Sequence, residues 1–261
     1  MQLVDLTLPA PQGNLTFDEE RLQRLEETDG DSVGELETLR FWESPTPVVV
    51  LGRGGDASAE VHVEECASEK IPVLRRVSGG GTVVLGPGCL NFSFVLSLDR
   101  RPELLSVRRS YEIILGTVVQ ALSRSGIKLC GLSDLISEGR KISGNAQKRT
   151  RRALMHQGTI LYNFDIDLLA RFLREPPKQP VYRKGRCHQE FVANVPMAVD
   201  DFKKRLSETW GATRPPCTTR AGADGRACRR KAAGATKCRA HHKNEAYLYA
   251  YLDAAHIRKE Q

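Results

Sequence analysis

No stretch of this 261-residue chain approaches the ~20 consecutive apolar residues that a membrane helix requires. The opening residues, Met1-Gln2-Leu3-Val4-Asp5, lack a basic segment followed by an apolar run. The expectation is a cytoplasmic protein with no membrane partner. Cysteine is sparse and odd in number: the seven are thinly spread up to Cys187 and then clustered near the end. That distribution argues against a secreted disulfide framework and fits reduced thiols. An excess of one charge is also missing from most of the chain. Of 39 Lys/Arg and 32 Asp/Glu, eleven and four fall in residues 211–261, which leaves the first 210 residues balanced at 28 each. The net charge of +7 therefore belongs to the tail. No internal repeat is present.

The length allows one sizeable α/β domain with a core of its own, plus a small appendage. Residues Asn14 to Leu25 predict an amphipathic helix with Phe17, Leu22 and Leu25 on its apolar side and Asn14 or Thr16 as cap. Val48 to Arg53, Pro72 to Arg76 and Leu90 to Val95 read as strands, the last alternating polar and apolar. Apolar residues at Val107, Tyr111, Leu115, Val118 and Leu122 predict a long helix with a glycine stop at Gly126. Leu135 to Ser137, Lys141 to Ser143 and Leu154 to Tyr162 suggest three more strands, the first two joined at Glu138-Gly139. A short helix capped by Asp165 and an amphipathic helix from Val199 to Trp210 follow. Together these predict an α+β fold, a mixed sheet flanked by helices, over residues 1–210. After Trp210 the composition turns to Pro, Arg, Ala, Gly and Cys, so 211–261 is expected to be a separate basic Cys/His appendage ending in a helix.

The most informative segment is Arg75-Arg76-Val77-Ser78-Gly79-Gly80-Gly81-Thr82. Three glycines after a strand let a ligand approach main-chain N–H groups, and the arginines supply forked donors for phosphate or carboxylate. The segment is neither a P-loop nor a dinucleotide fingerprint, because it lacks Gly-Lys-Ser/Thr and G-x-G-x-x-G. Standing alone it could equally be a tight turn between strands. Further on, Gly139 to Gln147 reads as a strand and a small-residue loop carrying Lys141, with His156-Gln157-Gly158-Thr159 on the next strand. Alone, Lys141 reads as a solvated lysine and His156 as a structural histidine; the order of the three motifs is what is specific.

The segments RRVSGGGTVVLGPGCLNFS at 75–93, SDLISEGRKISGNAQKR at 133–149 and HQGTIL at 156–161 resemble the catalytic domain of lipoate–protein ligases. That domain is related to those of biotin ligases and octanoyltransferases. NLTFDEERL at 14–22 and VVVLGRGG at 48–55 fit as well, so the resemblance covers about residues 1–200. It implies a mixed sheet with the acyl group in a tunnel beneath the glycine loop. It also implies ATP and Mg as cofactors, lipoate or octanoate as substrate, and an acyl-adenylate. The acyl group then passes to a lysine on a carrier domain, an E2 subunit or the glycine-cleavage H protein. Carried over by motif, Lys141 is the catalytic residue. Arg75, Ser78, Gly79, Gly80, Gly81, Asn91, Gly144 and His156 line the acyl-adenylate site, and Asp134 faces the adenylate. Two departures stand out. The stretch Leu85 to Asn91 lacks the aspartate many ligases carry there, and residues after 210 do not match the accessory domain. An accessory subunit, or transfer without adenylation, is therefore expected.

The alternative enzyme within the superfamily is an ATP-independent octanoyltransferase, with acyl carrier protein as donor and a cysteine of lowered pKa as nucleophile. Cys130 and Cys187 are its candidates; each reads otherwise as an incidental thiol. In the tail, Cys217, Cys228, Cys238 and His241 or His242 suffice for a structural zinc site, the alternative being a disordered basic tail. A third reading is a non-catalytic ligase fold that binds through its tail; nucleic acid is not the expected partner, since the lysine and glycine motifs are intact.

Overall fold

The computed structural model describes residues 1–214 apart from Asp31 and Pro177. The tail expectations, Cys217, Cys228, Cys238, His241 and His242 with their zinc and the terminal helix, lie outside the described residues.

Ten strands form among the described residues: β1 Gln2–Asp5, β2 Thr38–Trp42, β3 Val48–Leu51, β4 Val73–Arg75, β5 Val83–Leu85, β6 Cys89–Ser97, β7 Ile127–Cys130, β8 Asp134–Ser137, β9 Arg140–Arg149 and β10 Ala153–Leu161. Seven make one mixed sheet in the order β1-β2-β6-β10-β9-β8-β7, with β1 parallel to β2 and the other pairs antiparallel. The other three form a small sheet, β4-β3-β5.

Helices cover both faces of the large sheet. Phe92, Phe94 and Leu96 of β6 pack with Tyr111, Ile114, Leu115 and Val118 of helix Val107–Leu122 and with Phe202 and Leu206 of helix Val199–Thr209. On the opposite face, Val95 and Met155 meet Leu22 and Leu25 of helix Pro11–Glu27. The apolar periodicity of all three helices thus marks the face each one buries. β3 and β5 join Phe164, Phe172 and Phe191 in a second cluster over the end of the sheet.

Four local expectations change. The first helix begins at Pro11, whose missing N–H suits the first turn, and neither Asn14 nor Thr16 caps it. Asn14 is instead buried, bonded in both directions to the backbone of Leu8 at 2.9 Å. Every residue of β6 is buried, its polar positions included, because the sheet is covered on both sides. The long helix ends at Leu122 with Ser123 itself left-handed (φ 50°), so Gly126 sits in the following turn and is not the stop. Finally, the segment Gly144 to Gln147 is not a loop: β9 runs unbroken to Arg149 and pairs with β10. The Glu138-Gly139 turn is as expected, with both residues at positive φ (51° and 76°), the geometry of a two-residue hairpin.

Candidate functional site

Cross-strand register builds the floor of the site. Arg40 of β2 lies opposite Ser93 of β6, Ser93 opposite Gln157 of β10, and Gln157 opposite Ala146 of β9. One step along, Trp42, Asn91 and Thr159 form a second row, and the Gly144 amide reaches the Thr159 hydroxyl at 3.4 Å. Because directly paired residues share a face, these rows form one polar strip across four strands. This explains the alternation along β6: Phe92 and Phe94 serve the core, while Asn91 and Ser93 serve the site.

Lys141 reaches this face through an irregularity in β9. Gly144 pairs with Asp134 and Ser143 with Leu135, but Lys141 then pairs with Ile136, so Ile142 is an extra residue. With strict alternation, Ile142 would follow Gly144 and Ala146 onto the polar strip and Lys141 would point into the core. The extra residue reverses this: Ile142 is fully buried in the large core and Lys141 faces the strip. Bulges re-aim side chains in this way. The Lys141 Nζ lies 2.7 Å from Asp134 Oδ1. Asp134 Oδ2 accepts from the Tyr182 hydroxyl at 2.6 Å. Burial and the Asp134 carboxylate both push the Tyr182 phenol pKa up, so it remains a donor. Gly144 leaves room for the lysine, since a Cβ there would sit 3.1 Å from both Lys141 Cε and Nζ.

The glycine loop closes over the strip. Arg76, not Arg75, is the arginine on the cavity side. Its guanidinium is buried and donates to the Gly79 and Gly81 carbonyls at 2.6 and 2.9 Å and to Val50 at 3.2 Å. Burial lowers its pKa to about 10, which still leaves it charged. Arg75 points the other way, bracing the carbonyls of Gly52 and Gly55 at 3.0 and 2.8 Å. Ser78 is fully buried and tied to Arg76 Nε and Gln157 Oε1, so it anchors the loop. Glu60 holds the loop's far end through the Thr82 hydroxyl at 2.6 Å.

Two cavities meet at Lys141. The inner one, about 180 Å³, is walled by Leu15, Asp18, Trp42, Val50, Arg76, Asn91, Phe92 and Ser93 beneath Gly80 and Gly81. The outer one, about 370 Å³, is walled by Arg174, Lys178, Arg183, His188, Phe191 and Leu161. Lys141, Asp134, Gly144, Gly81 and Thr159 belong to both. An apolar chamber and a cationic chamber, joined at a lysine, suit a ligand with an apolar chain and an anionic end.

Of the residues picked out from sequence, Lys141, Asp134, Gly144 and Gly81 meet at this junction, Gly80 and Asn91 line the inner cavity, and Arg75, Ser78, Gly79 and His156 line neither cavity. His156 is fully buried, stacked on Phe92 and edge-on to Tyr111. It acts on the site through Asn145: the ring Nδ1 is 3.1 Å from Gln147 Nε2 and Nε2 is 3.2 Å from Asn145 Oδ1. An amide N–H can only donate, so Nδ1 accepts and Nε2–H donates, which is the neutral imidazole; burial lowers its pKa to about 3. Cys130 is the cross-strand partner of Asp134 but walls neither cavity, and nor does the exposed Cys187. Cys89 does wall the outer cavity, yet burial pushes its thiol up, which opposes the thiolate. Arg76, Asp18, Trp42 and Tyr182 were not singled out. Arg76 lay in a quoted motif, whereas Asp18 and Trp42 enter only through the sheet register and helix packing.

The chain is similar to known proteins over most of its described length. A family model described as the lipoyl protein ligase A/B catalytic domain matches residues 10–211. A probable lipoate-protein ligase A of Mycoplasma pneumoniae is 31% identical over 163 residues, 62% of this chain and 47% of that protein. The octanoyltransferase LipM of Oceanobacillus iheyensis is 26% identical, covering 60% and 64%. The chain spans about half the length of the curated ligases it matches. Among solved structures, a bi-partite lipoate protein ligase described with its E2 lipoyl domain, from Thermoplasma acidophilum, superposes with TM-score 0.65 at 24% identity over 82% of this chain and 85% of that one. A lipoate-protein ligase A bound with ATP gives 0.64 at 25% identity over 82% and 88%. With the matched span running through every strand of the large sheet except β1, and through the glycine loop and Lys141, this chain belongs to the lipoyl protein ligase A/B catalytic-domain family.

Proposed function

We propose that this protein attaches a lipoyl or octanoyl group to a lysine of a carrier lipoyl domain, with the free acid activated by ATP. The observation that carries this reading is the placement of Lys141 by the β9 irregularity at the junction of an apolar and a cationic chamber. The inner chamber, walled by Leu15, Trp42, Val50 and Leu85, takes the acyl chain. Its carboxyl end then comes to Lys141, whose ammonium stabilises charge developing on the carbonyl and phosphate oxygens. Asp134 orients that ammonium and is itself held by Tyr182.

The outer chamber fits a nucleotide's phosphates through Arg174, Lys178 and Lys141, while Arg183 is held by Glu175. ATP would supply the activation: the acid's carboxylate would displace pyrophosphate to give an acyl-AMP mixed anhydride, and the carrier lysine would then take the acyl group with AMP as the leaving group. A Mg²⁺ ion would neutralise charge on the phosphates, and of the residues walling the outer chamber Asp134 and Glu60 are the carboxylates that would hold it. The relatives named as ligases, one of them ATP-bound and one described with its E2 lipoyl domain, support this choice of nucleotide and acceptor.

The octanoyltransferase relative keeps a second reading in view, ATP-independent transfer through a cysteine. Cys130 beside Asp134 is its best-placed thiol, and its position outside both cavity walls favours the ligase. Incubation with lipoate, octanoate or biotin, with and without ATP, and separately with octanoyl-carrier protein, followed by the intact mass of a carrier domain, tests both. Mass gain only with ATP supports the ligase; gain from octanoyl-carrier protein without ATP overturns it.

A further inference from the structure

Behind the polar strip a series of hydrogen bonds runs along β9 and β10 towards the turn that precedes Asp134. By the strand pleat, Asn145 points away from Gly144 and Ala146, to the face that His156 occupies. Gln147 Nε2 donates to His156 Nδ1 at 3.1 Å, and His156 Nε2–H donates to Asn145 Oδ1 at 3.2 Å. The Asn145 amide then donates from Nδ2 to the Ser133 carbonyl at 2.8 Å and to the Ser143 hydroxyl at 3.0 Å. A carbonyl only accepts, so this amide has one orientation, and the bonds from Gln147 to Ser133 all run in the same direction. Asn145 borders the inner cavity, yet both of its N–H groups and its Oδ1 are engaged by the protein. Gly158 makes room for it: this residue is the partner of Asn145 on β10, and a Cβ there would fall 2.0 Å from Asn145 Oδ1.

The Ser133 carbonyl belongs to the peptide that enters Asp134. Asp134 opens β8 and is paired there with Cys130 and Gly144, while Ser133 still lies in the turn between β7 and β8. The ladder holds Asp134 from the strand side, and Asn145 holds it from the turn side. We propose that Asn145 is a positioning residue for acyl transfer, fixing the Ser133–Asp134 peptide and through it the carboxylate that orients Lys141. The proposal rests on the acyl-transfer reading above and extends it one step behind the reacting lysine. His156, fully buried, keeps the Asn145 amide turned towards Ser133. Without that donor the peptide can tilt, and Asp134 carries its error to Lys141 Nζ, 2.7 Å away. Small misplacements of a group at the reacting atoms are costly in rate.

A double-mutant cycle on the full chain tests this, with transfer of lipoate or octanoate to a carrier domain read by intact mass and slow variants followed over long single turnovers. Asn145→Ala should lower kcat about five- to tenfold, the scale of one hydrogen bond, and leave KM for the acid within about twofold. In the Asp134→Ala background the same substitution should change the rate by less than about twofold, because the carboxylate it positions is gone. Losses that multiply in the double variant overturn the proposal, since a residue that only supports the fold acts independently of Asp134. A rise in KM with kcat unchanged overturns it too, and makes Asn145 a wall of the inner cavity. So does near-normal transfer by Asn145→Ala. Should Asn145→Ala fail to fold, Asn145→Ser repeats the cycle: its hydroxyl is one atom shorter than the amide and cannot span from His156 to Ser133. In each of these cases acyl transfer by the native chain stands. A native chain that transfers no acyl group, with or without ATP or from octanoyl-carrier protein, overturns both readings.

Discussion

Lys141 Nζ lies 2.7 Å from Asp134 Oδ1 because β9 holds one residue more than its partner, and that residue, Ile142, is spent in the core. The lysine side chain is about one-third exposed, so its removal should leave the fold intact. Lys141→Ala is expected to lower acyl transfer by about 10²–10³-fold or more, the cost of losing a preorganised charge at the reacting oxygens. Circular dichroism and the melting temperature should be unchanged. Near-normal transfer by the alanine variant would remove Lys141 from the mechanism.

Tyr182→Phe takes away the donor to Asp134 Oδ2 without altering the shape of the wall. The expected loss in kcat is about tenfold, the scale of one charge-assisted hydrogen bond, with acid binding little affected. Asp134→Ala should cost more, because it also frees the lysine. If Tyr182→Phe changed KM and left kcat untouched, the tyrosine would be a wall residue only.

The fold was legible where a single periodicity carried it. The apolar stripe of helix 107–122 and the β-branched run at 48–51 needed no tertiary information, and both are buried as read. The site was legible as far as glycines and a lysine in order reveal a ligand loop. Arg75 and Arg76 are adjacent and chemically alike, and only the packing of Arg76 under the 79–81 carbonyls decides which faces the cavity. The Ile142 insertion could not be read either, since a bulge is defined by the partner strand. Asp18 stands beside Glu19 and Glu20 in the sequence with nothing to set it apart, and its burial depends on Arg40, 22 positions away.

Gly158 of β10 lies directly opposite both Phe92 of β6 and Asn145 of β9. A Cβ there would lie 2.0 Å from Asn145 Oδ1 and 2.2 Å from Phe92 Cζ, both fixed by packing. Gly158→Ala should therefore destabilise the protein by about 1–3 kcal/mol, as overpacking does, and loosen the Asn145–His156 contact. Chemical denaturation measures this; an unchanged midpoint would mean the sheet yields freely here.

The cysteines separate the two enzymatic readings. With the ATP-dependent route, Cys130→Ala and Cys187→Ala should each retain transfer within about twofold; such surface and half-buried sites usually change stability by less than about 0.5 kcal/mol. Loss of ATP-independent octanoyl transfer in Cys130→Ala alone would make that thiol the nucleophile, acting from beside Asp134.

His156 predicts how stability depends on pH. Burial holds its folded-state pKa at about 3, below the ordinary value of 6.5. Between those values the unfolded chain binds a proton that the folded one does not. Its contribution is therefore fully present above about pH 6.5 and is lost as pH falls towards 3, at up to about 1.4 kcal/mol per pH unit. His156→Gln cannot take up that proton. Denaturation midpoints measured from pH 7 down to 4.5 should fall more steeply for the native chain than for the variant. Parallel curves would mean that acid lability arises elsewhere and that the neutral imidazole is not what locks Asn145 beneath the loop.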